Sequence, residues 1–249
     1  MSAGVLAGGD GELRGDLGHR GAPRAQRAGA VHGPYGAGEQ TLALGLLGAL
    51  GPGMVLLADR NFASHKLWAA AAATGAQLCW RMSASFTLPV LQVLPEGTYL
   101  SQLNPPRKRD GPPIQVRVIE YSVLTVDEDG EEISELFVPA TTLLDHQAYP
   151  AGELAALYHD RWQAETGIGD LKTTERGGPE TVLRSKSPTI VTQEFWAMLC
   201  VYQGIRELIS YAAPPGLDPA RVSFKRALEA ARDSTTRAAL SPRGASNAP

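Results

Sequence analysis

Met54 to Ala58 reads MVLLA, five apolar residues in a row, and Asp59 follows directly. A short continuous apolar run bounded by turn signals is the pattern of a strand buried on both faces. GPG at 51–53 supplies the turn before it and ends a preceding helical segment, EQTLALGLLGAL, at 39–50. SHKLWAAAAATG at 64–75 predicts a helix, with Ser64 placed to cap its first turn and Gly75 to end it. AQLCWRM at 76–82 predicts a second strand. Strand, helix, strand in that order predicts an α/β fold.

The remaining organisation changes character twice. Residues 1–32 are rich in Gly, Ala and Arg with few large apolar residues, and no hydrophobic period emerges, so poor order is expected there. Residues 33–237 form the expected domain, interrupted at about 84–140 by a β-rich block that predicts an antiparallel insertion. Within it, VRVIEYSVLTV and ISELFVPATTL flank the polar turn DEDGEE, and NPPRKRDGPP at 104–113 predicts a rigid basic loop. Helices are expected again at 152–172, at 189–213 (long and apolar enough for a core helix) and near 224–232, with a disordered tail at 238–249.

Composition narrows the class. A chain of 249 residues can bury one substantial core. It has no apolar run of the roughly 18 residues that a membrane span needs, and no basic start followed by an apolar stretch, so a cytoplasmic location is expected. Cys79 and Cys200 lie far apart, make no zinc or redox spacing, and are expected as buried thiols. The net charge of −3 weighs against a large basic field, yet leaves room for an enzyme whose acidic site offsets basic patches elsewhere.

Two places hold residues that could do chemistry. Asp59 stands at the carboxyl end of a buried strand, where open α/β sheets put their ligands, but turn aspartates are also common at such ends. The second is the helical stretch carrying Tyr158, Arg161, Glu165 and Lys172. At about 100° per residue these four fall within an arc of roughly 60°. That is one polar stripe, which suits either a solvated face with Arg161–Glu165 pairing or a functional surface. The basic cluster Arg107, Lys108, Arg109 is equally open between a DNA-backbone contact and a solvated loop.

The spacing Tyr158, Arg161, Glu165, Lys172 resembles the Tyr-Arg-Glu-Lys signature of the insertion-sequence-four family of transposases. LLADRNF resembles the segment around that family's second catalytic aspartate, and LRSKSPTIVTQEFWAML at 183–199 the segment after its catalytic helix. The resemblance runs from about Gly33 to Arg237, and its two motifs occur in the family's order.

The resemblance implies a ribonuclease H-like fold, present here in part, in which Asp, Asp and Glu hold two divalent ions. Asp59 would be the second aspartate and Glu165 the glutamate. Oxygen ligands and phosphate substrates suit Mg²⁺, or Mn²⁺ in its place. Tyr158, Arg161 and Lys172 would contact phosphates of double-stranded DNA, at the terminal repeats of an insertion sequence and at its target, with a dimer on DNA among the assemblies the family allows. The first aspartate has no convincing counterpart. Asp10-Gly11 has the right letters but no apolar strand to carry it, and Asp16 is no better. The expectation is therefore a truncated or frameshifted N-terminus and a chain inactive alone. The alternative is a non-catalytic fragment that binds DNA or full-length transposase and inhibits transposition.

Overall fold

The computed structural model describes residues 38–126, 131–159, 161, 169–170 and 187–240. Described residues through Arg161 belong to one compact unit, and those from Gly169 onward to a second.

The first unit is built on the predicted strand–helix–strand. Strand β1 (Val55–Ala58) leads through Asp59 and a 3₁₀ turn (Arg60–Phe62) into helix α2 (His65–Ala72), which returns to strand β2 (Gln77–Arg81). Ser64 caps α2, its hydroxyl accepting the Leu67 N–H at 3.3 Å. Gly75 has a φ of 84°, a left-handed conformation open to glycine and costly for other residues. The strands run parallel, Leu56 beside Leu78 and Ala58 beside Trp80. β1 buries one face more deeply than the other. Leu56 and Ala58 are buried in the core that includes Leu67 and Trp68 of α2, whereas Val55 and Leu57, on the opposite face, are half-buried.

Ahead of β1, helix α1 (Glu39–Leu44) covers only the first half of the expected helix. The chain turns at Gly45 and tightens into a 3₁₀ turn at Leu47–Ala49, consistent with the low helix propensity of Gly45 and Gly48.

After β2 come six more strands: β3 (Gln92–Val93), β4 (Tyr99–Leu103), β5 (Ile114–Val118), β6 (Tyr121–Val126), β7 (Glu132–Phe137) and β8 (Pro139–Thr141). Four join the main sheet in the order β1-β2-β8-β5-β4-β3, antiparallel in every pairing beyond β1–β2. β6 and β7 pair only with each other. VRVIEYSVLTV and ISELFVPATTL are thus each divided between two sheets, at 119–120 and at Val138, where sequence patterning shows only one long β run.

The main core lies between α2 and the sheet. Trp68 and Trp80 meet edge to face, ring centroids 5.0 Å apart, with Leu67, Leu78, Val116 and Val118 around them. Each large apolar side chain buried there contributes about 1.5–3 kcal/mol. Helix α3 (Ala151–His159) closes a smaller cluster through Leu154, packed with Ile119 and Leu143. The expected helix to residue 172 is described only to His159, followed by a turn in which Arg161 N–H donates to Tyr158 O at 3.1 Å.

The second unit contains helix α4 (Pro188–Ala212) and helix α5 (Phe224–Leu240), the latter longer than expected. Tyr202 and Phe224 join them, centroids 5.1 Å apart, with the Arg206 guanidinium over both rings. Arg206 also reaches Asp170 at 2.8 Å. α4 buries Leu199, Tyr202, Ile205 and Ile209 but exposes Ile190, Val201, Leu208 and Tyr211, so it is amphipathic where a fully buried helix was expected. Among the described residues, no helix is long and apolar enough to cross a membrane.

Candidate active site

Asp59 occupies the position its sequence predicts, immediately past the end of β1. Its backbone is extended, and its carboxylate Oδ1 accepts the N–H of Arg60, opening the 3₁₀ turn as a capping aspartate does. The side chain is half-buried, and among the described residues Oδ2 has no hydrogen-bond partner.

Tyr158 comes from a helix about a hundred residues later in the chain. It lies in the last turn of α3, 2% exposed, and its hydroxyl donates to the carbonyl oxygen of Ala58 at 3.3 Å. Its ring stands edge-on to Phe137, centroids 6.3 Å apart. The Arg161 guanidinium lies 5.6 Å from the Tyr158 ring centroid. Burial pushes the Tyr158 phenol far above its ordinary range, Arg161 pulls the other way, and Asp59 adds to the rise. The fold therefore gathers Asp59, Tyr158 and Arg161 from positions about a hundred residues apart. Glu165 and Lys172 lie outside the described residues.

One expectation is corrected. Tyr158 is not part of a solvated polar stripe; it points into the unit, its ring in apolar contact and its one polar atom satisfied by Ala58. A tyrosine tolerates that because only its tip needs a partner.

Sequence patterning missed what anchors α3. Arg117, next to the last residue of β5, is fully buried and spreads three nitrogens over three acceptors. Nε donates to Thr98 Oγ1 at 3.0 Å, Nη1 to Tyr149 O at 2.6 Å, and Nη2 reaches Glu96 at 3.4 Å. Glu96 in turn accepts the Ala151 N–H at 2.9 Å, an orphan donor of the first turn of α3. Through Arg117 and Glu96, the β-rich segment holds the start of the helix that carries Tyr158 in its last turn. The signal was visible in VRVIE, a lone arginine inside an apolar strand pattern.

The hairpin holds the other end of α3. Tyr121 stacks on Phe137 at 5.5 Å, and both rings contact His159. Arg81 lies 4.1 Å above the Phe137 ring and pairs with Glu135 at 2.6 Å.

Hard oxygen donors such as Asp59 suit a small divalent cation. Among the described residues, no three His, Cys, Asp or Glu side chains gather closely enough to hold one. A complete ligand set would have to include residues outside them.

The comparisons with known proteins agree with the motifs. Residues 29–203 match the family described as the transposase DDE domain. The transposase InsG for insertion sequence element IS4, from Escherichia coli strain K12, is 30% identical over 193 residues. That alignment takes in 75% of this chain and 42% of the relative, so the chain spans less than half the length of the curated relative it matches. With the strand-end aspartate, the tyrosine and the arginine in their motif positions, this chain belongs to the DDE transposase family, in its insertion-sequence-four branch.

Proposed function

We propose that this chain carries the catalytic domain of a DNA transposase, which cuts and joins strands at the ends of an insertion sequence. The observation that carries this is the Tyr158–Ala58 hydrogen bond, which fixes helix α3, the helix carrying the first residue of the Tyr-Arg-Glu-Lys motif, against the strand that leads into Asp59. We assign the domain to residues 33–237, with a β insertion at about 84–140, on a ribonuclease H-like plan. The parallel β1–β2 pair and the antiparallel strands beyond it are compatible with that plan.

Asp59 and Glu165 are the proposed ligands for Mg²⁺ or Mn²⁺. When bound, such ions supply an activated water or 3′ hydroxyl and stabilise the leaving oxygen. The residues of the chain position the DNA. Arg161 offers a planar fork that suits a phosphate, and Lys172 a point charge. Tyr158 is the third residue proposed for phosphate contact, a contact that would require its buried hydroxyl to leave Ala58. Double-stranded DNA is the proposed partner.

The test combines Mn²⁺ titration with cleavage of a supercoiled plasmid. Asp59→Asn and Glu165→Gln should each weaken Mn²⁺ binding at least about tenfold, the size of effect seen at metal sites even for partners of the ligands. Any metal-dependent nicking by the unaltered chain should disappear in the double variant. Unchanged Mn²⁺ binding in the double variant overturns the ligand assignment. Nicking that survives it overturns the active site. A chain that binds duplex DNA but never nicks, with or without metal, is a binding fragment rather than an enzyme.

A further inference from the structure

A second group of cations lies elsewhere in the sequence from the Tyr-Arg-Glu-Lys motif. Arg107, Lys108 and Arg109 occupy the 104–113 loop between β4 and β5, the last two within a 3₁₀ turn (Lys108–Asp110), and all three side chains are exposed. Arg60 and Lys66, on the segment that runs from Asp59 into α2, are exposed as well. Among the described residues none of these five cations has an ion-pair partner, although acids outnumber bases and the net charge is −3. Asp110, exposed in the same turn, offsets only part of this charge, so the 104–113 segment keeps an excess of positive charge and gives a local positive field.

The loop is also held in place. Four prolines (105, 106, 112 and 113) restrict its backbone, and Gly111 supplies a φ of 123°, which L side chains rarely adopt. His65, in the first turn of α2 and 4% exposed, places its Nε2 3.0 Å from the Pro112 carbonyl oxygen. A carbonyl only accepts, so the ring proton sits on Nε2 and the histidine donates. The loop is thereby fastened to a helix that begins six residues after Asp59. A buried donor spent on fixing an exposed loop lowers the ordering cost that a mobile basic segment meets when it binds a polyanion.

Resting on the proposed DNA partner, we propose that the Arg107–Lys108–Arg109 loop is a sequence-independent contact for the DNA phosphate backbone, and that His65 is its positioning residue. Such a contact adds affinity and orientation without reading bases.

The test is the salt dependence of binding to a 30-base-pair duplex of arbitrary sequence, since a backbone contact needs no particular one. Replacing all three basic residues by Ser should make the slope of log K against log salt shallower by about 0.9 for each phosphate no longer neutralised, so by up to about 2.7. The substitutions are on exposed positions, and an unchanged Tm checks that the fold is intact. His65→Phe keeps every charge and removes the tie. It should weaken binding several-fold at fixed salt while leaving the slope near its original value. The same slope in the triple variant, with the unaltered chain binding the duplex, overturns this inference and leaves the transposase proposal standing. No binding by the unaltered chain overturns both.

Discussion

The Tyr158 hydroxyl donates to the Ala58 carbonyl oxygen at 3.3 Å across a hundred residues of sequence, and the residue after Ala58 is Asp59. Tyr158→Phe keeps the ring contact with Phe137 and removes only this bond, so it should lower stability by about 1 kcal/mol. Tyr158→Ala also leaves a cavity and should cost about 3–5 kcal/mol. Urea unfolding of the two variants separates the terms. Equal losses in both would mean that the ring contributes nothing beyond the hydroxyl.

Arg117 should be intolerant even of lysine. Its Nε, Nη1 and Nη2 go to three acceptors on Thr98, Tyr149 and Glu96, a geometry that one ammonium cannot reproduce. Arg117→Met leaves Thr98 and Tyr149 acceptors buried without their donor and should cost about 3 kcal/mol. Because Tyr149 lies just before the start of α3, hydrogen exchange should quicken first at the amides of Ala151 to Leu154. Protection that falls uniformly over the unit would show that the network is not local to that helix.

The same network has a pH signature. The Ala151 N–H above all, then Arg117 and His146, hold the Glu96 carboxyl below its ordinary range against partial burial. A carboxylate with a depressed folded pKa stabilises the fold above its unfolded value, about 4.3, and that contribution is lost as pH falls through the lower folded value. Unaltered protein should therefore exceed Glu96→Gln in stability at pH 6, with the gap closing below about pH 4. A gap that is constant from pH 6 to pH 3 would assign the effect to packing rather than to charge.

What the sequence makes legible is local. Asp59 stands out because a polar residue ending an apolar run has few places to go, and Ser64 and Gly75 because caps act within a few residues. The parallel β1–β2 pair follows from the helix between them. Helical periodicity groups Tyr158 with Arg161 but does not reveal that its ring is buried, because it counts a tyrosine as polar, while the fold satisfies its tip with a carbonyl from strand β1. The roles of Arg117 and Glu96 depend on partners 19 to 55 residues away, and the division of β5 from β6 on which strands claim each half. Neither is a pattern along the chain. Two motif residues, Glu165 and Lys172, are named on resemblance and lie outside the described residues.

The cysteines are expected to be alike and are not, which gives a clean chemical probe. Cys79 sits in β2 with no exposure, and burial pushes its thiol up to about 12, only partly opposed by Arg117. Cys200 is exposed on α4. The thiolate is the reactive form, so at pH 8 Cys79 is protected twice, by access and by protonation. A maleimide should label one thiol quickly and the second only as the sheet opens. Cys200→Ser should abolish the fast phase and leave the slow one unchanged. Since Arg117 also lends Cys79 its favourable field, Arg117→Met has two opposite effects on that slow phase. It raises the thiol pKa further, which slows labelling, and it loosens the unit, which speeds it. A loss of about 3 kcal/mol outweighs a change in a thiol already protonated at pH 8, so labelling of Cys79 should accelerate. Slower labelling in Arg117→Met would show that the arginine acts on Cys79 through charge and not through stability.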